Sequence, residues 1–219
     1  MEKWFVASKR ADFNKIGELF HISPVTARLM RNRDLTTVEE MQRYLYGSLS
    51  DLYDPHLLKD ADKGAEIIKE KIEAGKKIRI ISDYDVDGVS SNYILYQGLK
   101  RCGADVDYKI PDRVEDGYGI NEHLIEQAAE DGIDTIITCD NGIAASAQIA
   151  YGNSLGLTIV VTDHHDIPFQ KENDEITYLL PPAAAVINPK QKDCSYPFKS
   201  ICGAVVVYKF IQVLYDLFQ

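Results

Sequence analysis

Hydrophobic positions in this chain follow two rhythms. Between about residues 12 and 53 they fall at helical spacing, with Phe13, Ile16, Leu19 and Phe20, then Val25 and Leu29, then Met41 and Leu45, and nothing there alternates as a strand does. Ser23-Pro24 and Thr36-Thr37 read as helix N-caps, the second followed by Glu39 and Glu40. Asp54-Pro55 starts a loop, and the spacing then predicts a helix over 60–75 with Ile67, Ile68 and Ile72 on one face. From residue 77 the rhythm changes to short apolar runs separated by helical stretches. Strands are predicted at 77–82, 105–110, 134–139 and 157–162, with helices at about 89–101, 121–131 and 143–152. A short strand at 185–187 and an apolar helix or helix pair over 201–218 close the pattern. This alternation predicts an α/β fold, a doubly wound and mainly parallel sheet flanked by helices, behind a small N-terminal helical segment. The division is set at residues 1–60 for that segment and 61–219 for the sheet domain.

Two stretches break the alternation. Residues 111–119 (PDRVEDGYG) form a polar loop, and residues 166–182 end in Pro181-Pro182, which favours extended, irregular chain. No internal repeat or low-complexity tract is visible.

Composition narrows the class without naming a chemistry. With 219 residues, 45% hydrophobic and 26% charged, the chain can bury the core of one large domain, or one large and one small. It has no run of about 18 uncharged apolar residues, and residues 1–10 (MEKWFVASKR) lack the apolar centre of a secretory signal, so a cytoplasmic protein is expected. Cys102, Cys139, Cys194 and Cys202 form no CxxC pair and read as free thiols.

Candidate chemistry sits where the apolar runs stop. Asp83-Tyr84-Asp85-Val86-Asp87-Gly88 follows the first strand, Cys139-Asp140-Asn141-Gly142 ends the third, and Thr162-Asp163-His164-His165 ends the fourth. All three therefore gather at one edge of the sheet, where open α/β sheets keep their sites. If extended geometry persists past Ser82, Asp83, Asp85 and Asp87 aim the same way. Like charges so placed repel unless a cation neutralises them, and hard oxygen ligands select Mg²⁺ or Mn²⁺. Each signal has an ordinary reading as well: an acidic turn and helix cap at 85–88, a polar strand end with a turn at Asn141-Gly142, and a surface histidine pair. Their coincidence at one edge favours a shared metal site. The formal charge of −10 argues against a polyanion partner, since that affinity rests on Lys and Arg. Five of those acids stand in the three motifs, however, and two divalent ions would offset about four charges at that spot.

The run DYDVDG, Asp140 at its strand end and TDHH resemble motifs I, II and III of the DHH phosphoesterase superfamily. PDRVEDGYGIN at 111–121, INPKQKDCSYPFKSICGAVVVYKF at 187–210 and the helical preface are similar to its RecJ branch of single-strand exonucleases, so the resemblance covers nearly the whole chain. It implies two ions, Mn²⁺ or Mg²⁺, one held by Asp83, Asp85 and Asp140 and the other by Asp87, Asp140 and His164. It further implies that Asp163 fixes the His164 tautomer and that His165 faces the scissile phosphate. The implied activity is 5′→3′ removal of 5′ mononucleotides from single-stranded DNA for repair and recombination. Single-stranded DNA is the implied partner, with single-strand-binding protein or a helicase as companions of the full-length enzyme. One departure is plain: the family's fourth motif, an aspartate well beyond the DHH triplet, is not reached before Gln219, and the surroundings of Asp216 do not match it. A truncated catalytic half is therefore expected. Two other readings stay open: another DHH phosphoesterase, acting on pyrophosphate, short oligonucleotides or a cyclic dinucleotide, or a non-catalytic scaffold.

Around the motifs, Arg113 and Lys109 read either as phosphate contacts or as solvated surface charges, and Tyr118 either as a base-stacking residue or as packing for its loop. Tyr208, Phe210, Tyr215 and Phe218 read as core of the closing helix.

Overall fold

Ser23 and Thr37 do at helix starts what their positions predict. In the computed structural model, which describes residue 3 and residues 9–114, 116–173 and 175–218, the first compact unit, Met1–Leu52, holds three short helices. Asp12 caps α1 (Phe13–Phe20), and Ser23 caps α2 (Pro24–Asn32), with Pro24 in the first turn. Thr37 and Glu40 cap α3 (Val38–Tyr46) reciprocally, each accepting a backbone N–H of the other. Phe20, Met30 and Met41 form its core, with Ile16, Ile22, Leu35 and Leu45 around them. Leu19, Val25 and Leu29 share the helical spacing but remain half or more exposed, since so small a core leaves apolar surface over. Glu115 of the polar loop, Asp174, Gln219 and most of residues 1–8 lie outside the described residues.

The second unit begins at Tyr53 rather than at residue 61. Leu58, ahead of the expected boundary, is fully buried in its core with Leu57 packed alongside, so this stretch belongs to the sheet domain. Its elements run α4 (Ala61–Glu73), β1 (Lys77–Ser82), α5 (Val86–Arg101), β2 (Asp105–Lys109), α6 (Glu122–Glu130), β3 (Thr135–Cys139), α7 (Ser146–Ser154), β4 (Thr158–Thr162), β5 (Phe169–Glu172), β6 (Glu175–Tyr178), β7 (Ala185–Ile187) and α8 (Gly203–Asp216). Five strands form one parallel sheet in the order β2-β1-β3-β4-β7.

Burial on both faces explains why the strands are almost continuously apolar. Ile78 and Ile80 of β1, Ile137 of β3 and Val160 of β4 pack under α4, α5 and α8. Ile81, Ile136, Ile159 and Val161, alternating with them, pack under α6 and α7. Arg79 interrupts this pattern at 4% exposure, and its guanidinium donates two hydrogen bonds to Asp107 and one to Asp131, which hold its pKa above the usual value. The stretch 166–182, expected to be irregular, instead contains the antiparallel hairpin β5–β6. All of its strand residues are exposed, so no burial pattern marks it in the sequence. Among the described residues all four cysteines are free, and no helix is long and apolar enough to cross a membrane.

Candidate metal centre

Chain winding reverses between β1 and β3, which opens a crevice beyond their carboxyl ends. Asp83 and Asp140 are the first residues past those two strands, and each is 1% exposed. The extended geometry expected to carry three aspartates past Ser82 does not persist. Asp85 is the N-cap of α5, its Oδ1 accepting the N–H groups of Asp87 and Gly88, so the helix starts three residues earlier than expected. The three carboxylates thus arrive by a strand end, a helix cap and a first helical turn. Gly88 makes the turn fit, because a Cβ there would stand 2.4 Å from the Asp83 carbonyl oxygen. Asp87 reaches across to α8, where its Oδ2 accepts from Gly203 N (2.7 Å) and its Oδ1 from Ala204 N (2.8 Å).

Asp140 is held in an unusual backbone conformation, with φ 62°, a left-handed value that aspartate tolerates better than most residues. Its N–H donates to Thr162 O, and Asn141 braces the turn by donating to Ile81 O and Cys139 O while accepting from Ile120 N. Asp140 Oδ1 is buried with no hydrogen bond. His164 Nε2 lies 3.0 Å from it and 3.5 Å from Asp87 Oδ2, close enough for an ion pair when the ring is protonated. One carboxylate oxygen each from Asp83, Asp85 and Asp140 lie within 4.8 Å of one another, as do ligand atoms of Asp140, His164 and His165. Burial first, then the charges of Asp87 and Asp85, push the Asp140 pKa up to about 8. Burial also raises Asp83, with the Asp85 charge adding to it and the Tyr84 N–H opposing. Such a cluster, with an orphaned oxygen at its centre, fits a divalent cation, and its carboxylate and imidazole donors suit Mn²⁺ or Mg²⁺.

Asp163 serves a different histidine from the one expected. Its Oδ1 lies 2.7 Å from His165 Nδ1 and accepts the backbone N–H groups of His164 and His165, while its Oδ2 accepts from Ile143 N. It therefore orients the ring of His165, not that of His164. Burial pushes the Asp163 pKa up, but hydrogen bonds from the His165 ring, Ile143 and the His165 N–H outweigh it and hold the carboxyl below its usual range. The same contact raises His165, against the opposing effect of its burial.

The rim carries the aromatic candidate. Tyr118 Oη lies 3.3 Å from His165 Nε2 and donates to Asp140 O at 3.3 Å, while its ring stands edge-on to Tyr84. Arg113 stacks on the other ring of this pair, 4.5 Å from the Tyr84 centroid. Lys109 is exposed at the end of β2. A cleft of about 530 Å³ opens beside His165 between Tyr118, Ile120, Ile143 and Gln148. Phe210 is core as expected, and Tyr208 and Tyr215 are partly buried, whereas Phe218 is 38% exposed under the Lys69 ammonium. Sequence reasoning missed the Gly203 and Ala204 N–H groups, which have no side-chain signature, and Asn188, whose amide donates to His165 O.

A model of the DHH family, N-terminal domain, matches residues 77–219. The single-stranded-DNA-specific exonuclease RecJ of Bacillus subtilis (strain 168) is 37% identical over 209 residues, which is 94% of this chain and 25% of that protein. The Escherichia coli (strain K12) protein of the same description is 32% identical over 194 residues, 88% of this chain and 31% of that one. Among crystal structures, exonuclease RecJ bound to manganese superposes with a TM-score of 0.64 at 31% identity, over 74% of this chain and 38% of that chain. RecJ in complex with Mn²⁺ from Thermus thermophilus gives a TM-score of 0.67 at 25% identity, over 99% of this chain and 29% of that one. The chain spans between a quarter and a third of the two curated relatives.

Proposed function

Because the chain belongs to the DHH family, we propose that its sheet edge is a two-metal phosphodiesterase centre acting 5′→3′ on single-stranded DNA and releasing 5′ mononucleotides. One observation carries this reading: the buried Asp140 oxygen without a hydrogen bond, in a residue grouped both with Asp83 and Asp85 and with His164. Asp83, Asp85 and Asp140 would hold one ion, and Asp140, His164 and Asp87 the other, with Asp140 bridging. The similarity to RecJ exonucleases, two of them Mn²⁺-bound structures, supports the substrate and the metal.

Ions bound there supply a Lewis-acid pair that activates water and neutralises a non-bridging phosphate oxygen. The chain's own residues do the rest. Asp163 fixes the His165 ring through Nδ1, leaving Nε2 to face the phosphate. From that nitrogen a proton passes to the departing 3′ oxygen or its charge is offset. Tyr118, displaced from His165, offers its ring to a base, and Arg113 offers its guanidinium to the phosphate chain. We further place single-strand-binding protein or a helicase as companions and the cytoplasm as the compartment, in keeping with four free thiols.

The test is cleavage of a 5′-labelled single strand, a duplex and a dinucleotide with Mn²⁺, alongside calorimetric Mn²⁺ binding. Mononucleotide release from the single strand, lost in Asp140→Ala and in EDTA, is the expected result. Cleavage of the dinucleotide alone would move the substrate to short oligonucleotides. Mn²⁺ binding without any cleavage would refute nuclease action by this chain.

A further inference from the structure

The Asp87 carboxylate is oriented by an element the metal reading does not use. Cys202, the N-cap of α8, supplies no side-chain hydrogen bond to the helix start, and the first N–H groups of a helix need partners. Asp87 provides them from α5, one oxygen for each of Gly203 N and Ala204 N. Two separate N–H contacts fix the plane of the carboxylate, and a carboxylate has lone pairs to spare beyond them. Its Oδ2 stands 3.5 Å from His164 Nε2. Directly alongside, a Cβ on Gly203 would lie 2.6 Å from Asp140 Oδ1 and 2.9 Å from both Asp140 Cβ and Cγ.

We propose that the N-terminus of α8 positions the metal ligands: Gly203 and Ala204 hold Asp87 through their N–H groups, and the missing side chain of Gly203 leaves the space the free Asp140 oxygen occupies. The inference rests on the metal-centre reading above. Neither neighbour can yield to a larger residue at 203. Asp140 is 1% exposed, in a left-handed backbone conformation, with its N–H tied to Thr162 O. α8 is fixed by fully buried Val206, Val207 and Phe210. A side chain at 203 must therefore either turn the Asp140 oxygen away or pull the N–H pair off Asp87, and both disturb the two ligands together.

The test compares Mn²⁺ affinity and metal-free melting temperature in the wild type and three variants. Gly203→Ala introduces the clash. Ala204→Pro deletes one N–H in a first turn that accepts proline. Gly98→Ala is the control: its Cβ would meet Ile211 Cδ1 at 2.5 Å, loosening α5 against α8 away from the cluster. The expected result is a loss of affinity of about tenfold or more in the first two variants and a change under about threefold in the control, whatever the melting temperatures do. In the metal-free chain, Asp87→Ala should also move the Gly203 and Ala204 amide proton resonances upfield. Wild-type affinity in both Gly203→Ala and Ala204→Pro, or an equal loss in Gly98→Ala, overturns the inference alone. A wild type that binds no Mn²⁺ overturns the metal-centre reading and this inference with it.

Discussion

Replacing Asp140 by asparagine should stabilise the metal-free chain, and the gain should grow with pH. The unfolded chain releases the Asp140 proton near its ordinary value of 3.8, whereas the folded chain holds it up to about 8, first because of burial and then because of the charges on Asp87 and Asp85. Between those values folding takes up a proton, so the wild type loses stability as pH rises from about 4 to about 8 and is level above that. At about 1.4 kcal/mol per tenfold change in proton affinity, the full gap corresponds to roughly 5–6 kcal/mol. Relaxation around the carboxylate lowers this figure. Asparagine keeps the shape, carries no charge and tolerates the φ of 62°. Asp140→Asn is therefore expected to exceed the wild type by about 2–5 kcal/mol near pH 8.5 and by about 1 kcal/mol near pH 5, measured by urea unfolding in EDTA. Mn²⁺ at about 100 times its Kd adds about 2.7 kcal/mol to the wild type only, so it should reverse the order near pH 5, where the gap is about 1 kcal/mol, and narrow the gap near pH 8.5. An equal gap at both pH values, or a more stable wild type near pH 8.5 in EDTA, would refute the reasoning.

Arg79→Ala should cost about 1–3 kcal/mol in urea unfolding, through lost packing and lost bonds to Asp107 and Asp131. Half-exposed partner carboxylates keep that loss small, so Asp107→Ala should cost less than Arg79→Ala. Thr37→Ala removes one half of the reciprocal cap on α3 and should lower the stability of the first unit by about 1 kcal/mol, read as faster amide exchange over 38–46, with no change in Mn²⁺ affinity.

The sheet was legible because both of its faces are covered: runs such as TIIT and TIVV leave no polar face, and the turn signals fall between them. The hairpin Phe169–Glu172 with Glu175–Tyr178 was not, since it buries nothing and so imposes no alternation on its residues. Asp85 illustrates a finer failure. An acid after a strand reads equally as a ligand, a turn residue or a cap, and the structure uses it as a cap while keeping its carboxylate near Asp83 and Asp140. The clustering of Asp83, Asp140 and the two histidines was readable because each stands within three residues of a strand end. Which histidine Asp163 orients was not readable, because adjacent rings are equivalent in sequence and only the turn after β4 decides which one reaches Oδ1. Backbone donors at Gly203 and Ala204 are invisible for a simpler reason: every residue but proline has one.

The bond between Asp87 and Gly203 spans 116 positions of the chain. On a ribosome adding about 5–20 residues per second, the strands that carry the acidic cluster emerge several seconds before the helix that completes it. During that interval the nascent domain holds crowded carboxylates without their last backbone donors. The arrival of α8 then supplies the N–H groups that hold Asp87, so synonymous changes that slow translation between these two positions prolong an immature, charge-strained intermediate without altering a single residue of the product.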